Sequence, residues 1–153
     1  MNAPGMLQRV FRSLDRADVE AISRVHHRAC LIAYRFMNWS YSLQEVEAWY
    51  SRIFPKWTWT LAAFEPDASM AGFIALTDQH VDQLYVDPSR QRGGIGSSLL
   101  DQALKISPGR LTLHVFEENR SARAFYERHG FQERGRWMNT EEGRIDLLYV
   151  REE

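Results

Sequence analysis

The chain has 153 residues, of which 44% are hydrophobic and 25% charged, and this composition is typical of one soluble globular domain over residues 1–153. Its formal net charge of −1 excludes the general electrostatic attraction that draws basic proteins to nucleic acid or to anionic membranes. Any anion site must therefore depend on a local arrangement of groups.

The single cysteine, Cys30, excludes an internal disulfide and favours a reducing compartment. Because it lies in a helical pattern, we expect a buried apolar side chain rather than a nucleophile. The first residues show no basic segment followed by an apolar stretch, and no apolar run approaches the ~18 residues that span a bilayer. These features predict a cytoplasmic protein without a membrane or nucleic-acid partner.

The first third of the chain predicts a strand and two amphipathic helices. Residues 9–14 form a candidate strand, and Asp15 can cap the helix that follows. In that helix apolar residues recur at helical spacing over residues 22–36. A capping box at residues 42–45 begins a second helix, whose apolar stripe continues to Ile53.

Three strands are predicted next, at residues 57–65, 70–77 and 80–86. The links between them are short enough for hairpins, so we expect antiparallel pairing. The rest of the chain predicts a helix at 97–106, a strand at 111–116, a helix at about 119–129 that Gly130 ends, and strands at 131–137 and 144–150. The order β-α-α-β-β-β-α-β-α-β-β predicts an α/β fold with a mixed, mostly antiparallel central sheet flanked by helices.

The segment QRGGIG, residues 91–96, places three glycines at the start of a helix. It is not a Walker loop, because no lysine follows Gly96, and it is not a dinucleotide fingerprint, because Leu99 stands where the third glycine is needed. A strand that enters a helix through glycines still leaves unpaired N–H groups at the helix N-terminus. They point outward from the positive end of the helix dipole, where an anion can bind. Arg90 and Arg92 flank the turn and can add charge. The segment alone indicates either an anion site or a plain tight turn.

The surrounding residues LYVDPSRQRGGIGSSLL resemble the acetyl-CoA-binding segment of the GCN5-related N-acetyltransferase (GNAT) family. The family pattern Gln/Arg-x-x-Gly-x-Gly/Ala is met by Gln91, Gly94 and Gly96. ENRSARAFYERHGF, residues 118–131, is similar to the second family motif, an Asn followed by a helix that carries a tyrosine and ends in Gly-Phe. The two motifs occur in the family order, and the resemblance covers nearly the whole chain.

The resemblance implies that backbone N–H groups of residues 92–97 hold the pyrophosphate of acetyl-CoA. It also implies that the strand at 80–86 splays from the strand at 111–116, and that its end pairs with the pantetheine arm. Asn119 would contact the pantetheine or adenine side and Arg123 the phosphates, although Asn119 is equally well placed as a helix cap. The implied cofactor residues are Leu84, Tyr85, Val86, Gln91, Arg92, Gly93, Gly94, Ile95, Gly96, Ser97, Asn119 and Arg123.

Tyr126 is the catalytic candidate that the resemblance implies, as the acid that protonates the departing CoA thiolate. A phenol with a pKa of ~10 stays protonated at neutral pH and can give its proton to a thiolate with a pKa of ~8.5. Spacing alone is also consistent with core packing, because Tyr126 shares a helical stripe with Ala122, Phe125 and His129.

A general base must remove a proton from an amine that is mostly protonated at pH 7. Family members often place a carboxylate on the strand at 80–86, which favours Asp82, directly or through water, or His80 at the other register. Solvated polar residues at a strand start are the alternative, and His114 and Glu117 are weaker candidates. No residues have metal-ligand spacing, so we expect no metal.

The acceptor side is expected at the first two helices and their link, residues 34–42, with Trp49, Tyr50, Trp57 and Trp59 nearby in sequence. These aromatic residues predict a pocket for a small-molecule amine, or else belong to the core. Transfer would occur by direct attack in a ternary complex. A protein or peptide N-terminal acetyltransferase, which needs an open groove, and a CoA-binding module without catalysis are the alternatives, and a homodimer is consistent with the family.

Overall fold

The computed structural model describes residues 8–153. The prediction that no secretory segment is present depends on residues 1–7, which lie outside the described residues. The single domain predicted over residues 1–153 also begins in that part of the chain. In chain order the elements are β1 Val10–Arg12, α1 Val19–Ala33, α2 Leu43–Ile53, β2 Trp59–Phe64, β3 Met70–Thr77, β4 His80–Val86, α3 Ile95–Ile106, β5 Arg110–Phe116, α4 Arg120–Arg128, β6 Gln132–Asn139 and β7 Arg144–Glu152.

The seven strands form one sheet in the order β1-β2-β3-β4-β5-β7-β6. All neighbours are antiparallel except β4 and β5, which run parallel. This confirms the mixed, mostly antiparallel sheet that the sequence predicts. Within the described residues β4 and β5 pair at a single position, His80 with Thr112, and then diverge.

The sheet has a separate apolar core on each face. On one face, α3 contributes Leu99 and Leu100, which pack with the strand residues Leu111, Leu113 and Leu147. On the other face, α1 and α2 contribute Ile22, Val25, Val46 and Tyr50 to a second core, whose strand members are Ala62, Phe64, Met70 and Phe73 with Tyr85 packed against it. No helix of the described part of the chain is long and apolar enough to cross a membrane.

A bulge in β4 changes which side chains face α1 and α2. Ala75 pairs with Gln83 but Leu76 pairs with Val81, so Asp82 is the extra residue. Asp82 and Gln83 then both reach the α2 side, because Trp57 Nε1 donates to Asp82 Oδ2 at 2.8 Å and Tyr50 Oη donates to Gln83 Oε1 at 3.4 Å.

The predicted elements are all present, but several boundaries differ from the predicted ones by one to three residues, and three of these differences have a local physical cause. α1 ends at Ala33 rather than at residue 36, because Tyr34 leaves helical geometry and its ring packs on Phe116. β2 begins at Trp59 rather than at residue 57, because Phe54–Lys56 form a short 3-10 turn. α3 begins at Ile95 rather than at residue 97, because the left-handed Gly94 (φ 79°) serves as its N-cap.

Candidate active site

A cleft of about 500 Å³ opens where β4 and β5 diverge. The end of α1, the end of β4, the turn after it, the start of α3 and one side of α4 line this cleft. Ten of the expected cofactor residues are among its lining residues: Leu84, Tyr85, Val86, Gln91, Arg92, Gly94, Ile95, Gly96, Ser97 and Asn119. The sequence motifs therefore converge on one cavity.

The turn between β4 and α3 exposes backbone donors to the cleft. Asp87 closes a 3-10 turn at Pro88–Arg90, where its carboxylate accepts the Ser89 N–H at 3.0 Å. The first helical hydrogen bond of α3 runs from Ser98 N–H to the Gly94 carbonyl at 2.9 Å. The N–H groups of Ile95, Gly96 and Ser97 precede this bond, and so they have no partner within the helix. With the helix dipole behind them, they can bind an anion.

Glycine is favoured at positions 94 and 96 of the turn for two different physical reasons. Gly94 has a φ of 79°, and a Cβ built on it meets nothing within 4 Å, so backbone conformation favours glycine there. A Cβ on Gly96 lies 3.4 Å from Phe125 Cζ and 3.6 Å from Val86 Cγ2, so close packing of α4 on α3 restricts that position.

Three arginines line the cleft around the turn, and they differ in the contacts that their side chains make. Arg92 lines the cleft with a left-handed backbone (φ 72°). Arg90 also lines the cleft, but its guanidinium donates to Ser69 Oγ at 2.9 Å and pairs with Glu65 at 3.5 Å. The Arg90 guanidinium, which the sequence suggests as a source of charge for an anion, is therefore bound to two residues of the turn between β2 and β3. Arg128 of α4 lines the cleft as well.

Two of the expected cofactor residues, Gly93 and Arg123, do not line the cleft. Arg123 donates from Nε to Tyr149 Oη at 2.9 Å and from Nη1 to the Glu117 carbonyl at 2.9 Å. These bonds turn the guanidinium toward β5 and β7. The structure therefore gives no support to the expected contact of Arg123 with phosphates.

Asn119 and Tyr126 each line the cleft and also have a structural role. Asn119 lines the cleft and also caps α4, since its Oδ1 accepts the Ala122 N–H at 3.3 Å. Tyr126 lines the cleft while its ring packs on Phe125 and Phe131. Burial, and to a lesser extent the nearby Tyr34, raise the pKa of Tyr126. The phenol therefore stays protonated throughout the neutral range.

The candidate bases lie on β4 ahead of the cleft-lining residues. His80 Nδ1 shares a hydrogen bond with Thr112 Oγ1 at 2.7 Å, and its ring lies 4.8 Å from that of His114. Burial and the neighbouring His114 lower the pKa of His80, although Asp82 opposes this shift. His80 is therefore a neutral imidazole at pH 7, whereas Asp82 has one oxygen engaged by the Trp57 indole.

Most aromatic residues expected at the acceptor side belong to the second core instead of lining a pocket. Tyr50 is fully buried, and Trp49 and Trp57 pack against the same core. His26 joins them, with Nδ1 hydrogen-bonded to Tyr50 Oη. Tyr34 is the exception, because it lines the cleft and its pKa is raised to about 12, chiefly by burial.

Beside the cleft, the sheet face that carries His114 is not covered by α1 and α2. The second core takes its strand residues from β2, β3 and β4 among the described residues. His114 and Phe116 alternate with core residues of β5, and Phe116 pairs with Asp146, which pairs with Trp137. Directly paired residues share a face. The rings of Tyr34 and Phe36 pack on Phe116, whereas His114 and Trp137 are exposed. We call His114 and Trp137 the open face; Trp137 is 41% exposed, and its ring lies 5.1 Å from His114.

Sequence reasoning missed Arg128 as a cleft residue, and it placed Tyr34 at the acceptor side and not at the cofactor cleft. Arg128 had a signal, since it follows Ser121 and Phe125 at helical spacing and all three line the cleft. Tyr34 had none, because its position depends on where α1 ends. Among residues 8–153 no group of three or more His, Cys, Asp or Glu side chains is arranged to hold a metal.

The geometry of this site agrees with a comparison to known families. Residues 27–131, more than half of the chain, match the model of the acetyltransferase (GNAT) family. The chain belongs to the GNAT family of acetyltransferases. This confirms the resemblance seen in the two motifs.

Named relatives of this GNAT acetyltransferase include a peptidyl-lysine N-acetyltransferase, YjaB of Salmonella typhimurium. The two are 35% identical over 109 residues, which cover 69% of this chain and 74% of that protein. An uncharacterized N-acetyltransferase of Escherichia coli, YafP, is 34% identical over 97 residues, or 60% of this chain and 62% of that protein.

Solved structures have the same fold. The apo form of Escherichia coli YjaB has a TM-score of 0.78 at 25% identity, over 94% of this chain and 97% of that one. The PaiA N-acetyltransferase of Thermoplasma acidophilum, solved in complex with coenzyme A, has a TM-score of 0.73 at 21% identity, over 96% and 100% of the two chains.

Proposed function

We propose that this GNAT acetyltransferase transfers the acetyl group of acetyl-CoA to a primary amine of a polypeptide, a lysine side chain in particular, by direct attack in a ternary complex. The observation that carries the proposal is the convergence in one cleft of three features. These are the diverging strand β4, the unpaired N–H groups at the start of α3, and the half-buried phenol of Tyr126.

The cleft residues fit an acyl-CoA co-substrate. The N–H groups of Ile95, Gly96 and Ser97 would receive the diphosphate, and Arg92 and Arg128 supply positive charge at the same cleft. Past His80, no strand of residues 8–153 pairs with β4 on its β5 side, so residues 84–86 can pair main chain to main chain with the pantetheine amides. The cleft of about 500 Å³ is within the range of ligand sites.

The chemistry follows from the protonation states of two side chains. Neutral His80 accepts a proton from the acceptor ammonium, directly or through water, and the free amine attacks the thioester carbonyl. As the new C–N bond forms, the C–S bond breaks and Tyr126 donates its proton to the leaving thiolate. The nitrogen of the new amide loses its second proton to solvent, solvent returns a proton to the Tyr126 phenolate, and His80 releases its proton to solvent, so the net products are the amide, the CoA thiol and one proton. Asp82 remains the second candidate for the base.

The open face favours a polypeptide acceptor over the small-molecule amine that the aromatic content of the sequence predicts. A closed aromatic pocket is missing from the described residues of the acceptor side, because Trp49, Tyr50 and Trp57 belong to the core. The exposed side chains of His114 and Trp137 beside the cleft leave an accessible surface for a polypeptide acceptor instead. The relative that is named a peptidyl-lysine N-acetyltransferase supports the same class of acceptor.

The experiment is a thiol-release assay with acetyl-CoA and three sets of amines. One set contains peptides with an internal lysine and a blocked N-terminus, the second peptides with a free N-terminus and no lysine, and the third small amines. We expect turnover with the lysine peptides. Turnover of small amines alone would overturn the polypeptide acceptor and restore the small-molecule amine. If acetyl-CoA failed to raise the melting temperature, the cofactor assignment itself would be wrong.

A further inference from the structure

One half-buried carboxylate beside the open face has no ion-pair partner among the described residues. Asp146 of β7 pairs with Phe116 of β5 on one side and with Trp137 of β6 on the other, so the three side chains share a face of the sheet. Within residues 8–153 no arginine, lysine or histidine lies within ion-pair distance of Asp146. The hydrogen bond that it accepts from Asn139 Nδ2 is long, at 3.5 Å. None of the proposed chemical steps uses Asp146.

The arginines on the strands around Asp146 are bound to other carboxylates. Arg144, two residues away on β7, donates from Nη1 to Glu118 Oε1 at 2.6 Å. Arg136 of β6 donates from Nη1 to Glu117 Oε2 at 2.7 Å. Glu117 and Glu118 therefore have cations of this chain as partners, whereas the charge of Asp146 is left to pair with a cation that comes from another molecule.

Trp137 adds a second feature that attracts a cation to the same place. Its side chain is 41% exposed, and its ring lies 5.1 Å from that of His114, which lies 4.8 Å from that of His80. The face of an indole attracts the ammonium of lysine and the guanidinium of arginine more strongly than other aromatic rings do. A basic side chain can therefore pack on Trp137 while its charge pairs with Asp146.

Asp146 lies near the cofactor cleft but at a distance from the candidate base. Burial is the main cause of the raised pKa of Tyr34, and the charge of Asp146 adds to it, so this carboxylate acts on a residue that lines the cleft. His80 pairs with Thr112, whereas Asp146 pairs with Phe116, which lies about 13 Å further along β5. Asp146 and His80 are therefore too far apart to bind one ammonium group, but they can bind two residues of one acceptor chain.

We propose that Asp146 and Trp137 form a subsite for a second basic side chain of the acceptor, so that the enzyme prefers lysines with an arginine or another lysine nearby in sequence. The inference rests on the proposed polypeptide acceptor. An extended chain advances about 3.3 Å per residue, so this subsite lies about two to four residues from the acceptor lysine once the reach of the side chains is included. Because Asp146 lies to one side of His80, the preference holds for one side of the lysine only.

The test is a thiol-release assay with acetyl-CoA and peptides that have blocked termini and one lysine. Each peptide carries one arginine at a position from one to five residues before or after the lysine. In the matched peptides citrulline replaces arginine, because it has nearly the same shape but no charge. At the favoured positions we expect kcat/KM to be about five- to tenfold higher with arginine than with citrulline. The difference should lie in KM, because the subsite holds substrate and transition state equally.

Variants of the subsite should change the ratio of the arginine to the citrulline rate. Asp146→Asn should bring the ratio close to one, and Asp146→Glu should restore part of it. Trp137→Leu should lower the ratio about two- to threefold, because it removes the aromatic face and leaves the carboxylate. The matched control Glu141→Gln removes one negative charge from the exposed turn between β6 and β7, and it should retain the ratio.

The outcomes separate this proposal from simpler explanations. A preference that is equal on both sides of the lysine, or that survives in Asp146→Asn, would assign it to the overall charge of the protein and overturn the subsite. Equal losses with arginine and citrulline peptides in Asp146→Asn would show a structural role and overturn it as well. Lysine peptides that turn over at the same rate with arginine and with citrulline overturn this proposal alone, whereas no turnover of any lysine peptide overturns the proposed function.

Discussion

His80 and Thr112 mark the point at which the sheet divides. They are the pair that joins β4 to β5 in the described part of the chain, and their side chains also share a hydrogen bond of 2.7 Å. Beyond them β4 continues to the turn and α3, while β5 leads to α4. The candidate base therefore lies at the apex of the divergence, and the candidate acid, Tyr126, lines the cleft between its arms.

The first prediction concerns Tyr126. Replacing it with phenylalanine keeps the ring packing on Phe125 and Phe131 but removes the proton donor. We expect kcat to fall by about 10²-fold with little change in KM, because the acid acts only on the leaving group. Steady-state kinetics at pH 7 measure this, with Tyr41→Phe at an exposed position as the control. An unchanged kcat would assign Tyr126 to the core alone.

The second prediction concerns the pH dependence of kcat/KM. Burial and His114 lower the pKa of His80, so the acidic limb should lie below the ordinary histidine value of 6.5 and the rate should be flat near pH 7. His114→Gln removes a repulsion and should move the limb to higher pH. Asp82→Asn removes an attraction and should move it to lower pH, while His80→Gln should abolish it.

The same profiles distinguish the two candidate bases. If Asp82 is the base, Asp82→Asn will lower the plateau rate by about 10² or more instead of displacing the limb. The hydrogen bond from Trp57 to Asp82 would then orient the base. Displacement with a preserved plateau supports His80.

The third prediction concerns Gly94. Because a Cβ at this position would meet nothing within 4 Å and φ is 79°, Gly94→Ala should cost about 1 kcal/mol of the free energy of unfolding through backbone strain alone. Gly109 is a matched control, since it also has open space around a Cβ but not the left-handed φ. Urea unfolding should therefore show that Gly109→Ala is nearly neutral. Equal losses for the two variants would contradict the role of φ at Gly94.

Much of the fold was predictable because local signals agreed with tertiary packing. The capping box at Ser42 and the αL residue Gly130 lie where the sequence indicates, whereas Asp15 caps the 3-10 turn Arg16–Asp18 that leads into α1 and not α1 itself. Hairpin links predicted the antiparallel pairs β2-β3 and β3-β4. The segment at residues 91–96 located the cleft only together with the second motif at residues 118–131, because alone it fits a plain tight turn equally well.

The rest depended on contacts between segments that are distant in sequence. The sequence around Asp82 carries no signal that predicts a bulge, because the bulge arises from how β4 pairs with β3. The direction of Arg123 is decided by Tyr149, 26 residues away. A sequence rich in tryptophan is equally consistent with a pocket lining and with a core. Only their packing against Phe73 and its neighbours places Trp49 and Trp57 in the core.

The last prediction concerns stability and His26. Burial lowers the pKa of His26 to about 4, whereas in the unfolded chain it is near 6.5. The folded pKa is the lower one, so the stabilisation is fully present above pH 6.5 and is lost as the pH falls toward 4, because the unfolded state takes up the proton first. Between pH 7 and pH 5 this one group should remove about 2 kcal/mol from the free energy of unfolding.

Urea unfolding at these two pH values, for the wild type and His26→Gln, isolates the contribution of His26. The carboxylates titrate in both proteins, so their effect cancels in the difference. His26→Gln keeps a polar group near Tyr50 Oη but cannot be protonated, and it should lose about 2 kcal/mol less than the wild type over this range. His27→Gln alters the adjacent histidine, which is bonded to the Tyr41 carbonyl instead. If that control reduced the pH dependence as much as His26→Gln, burial of His26 would not be its cause.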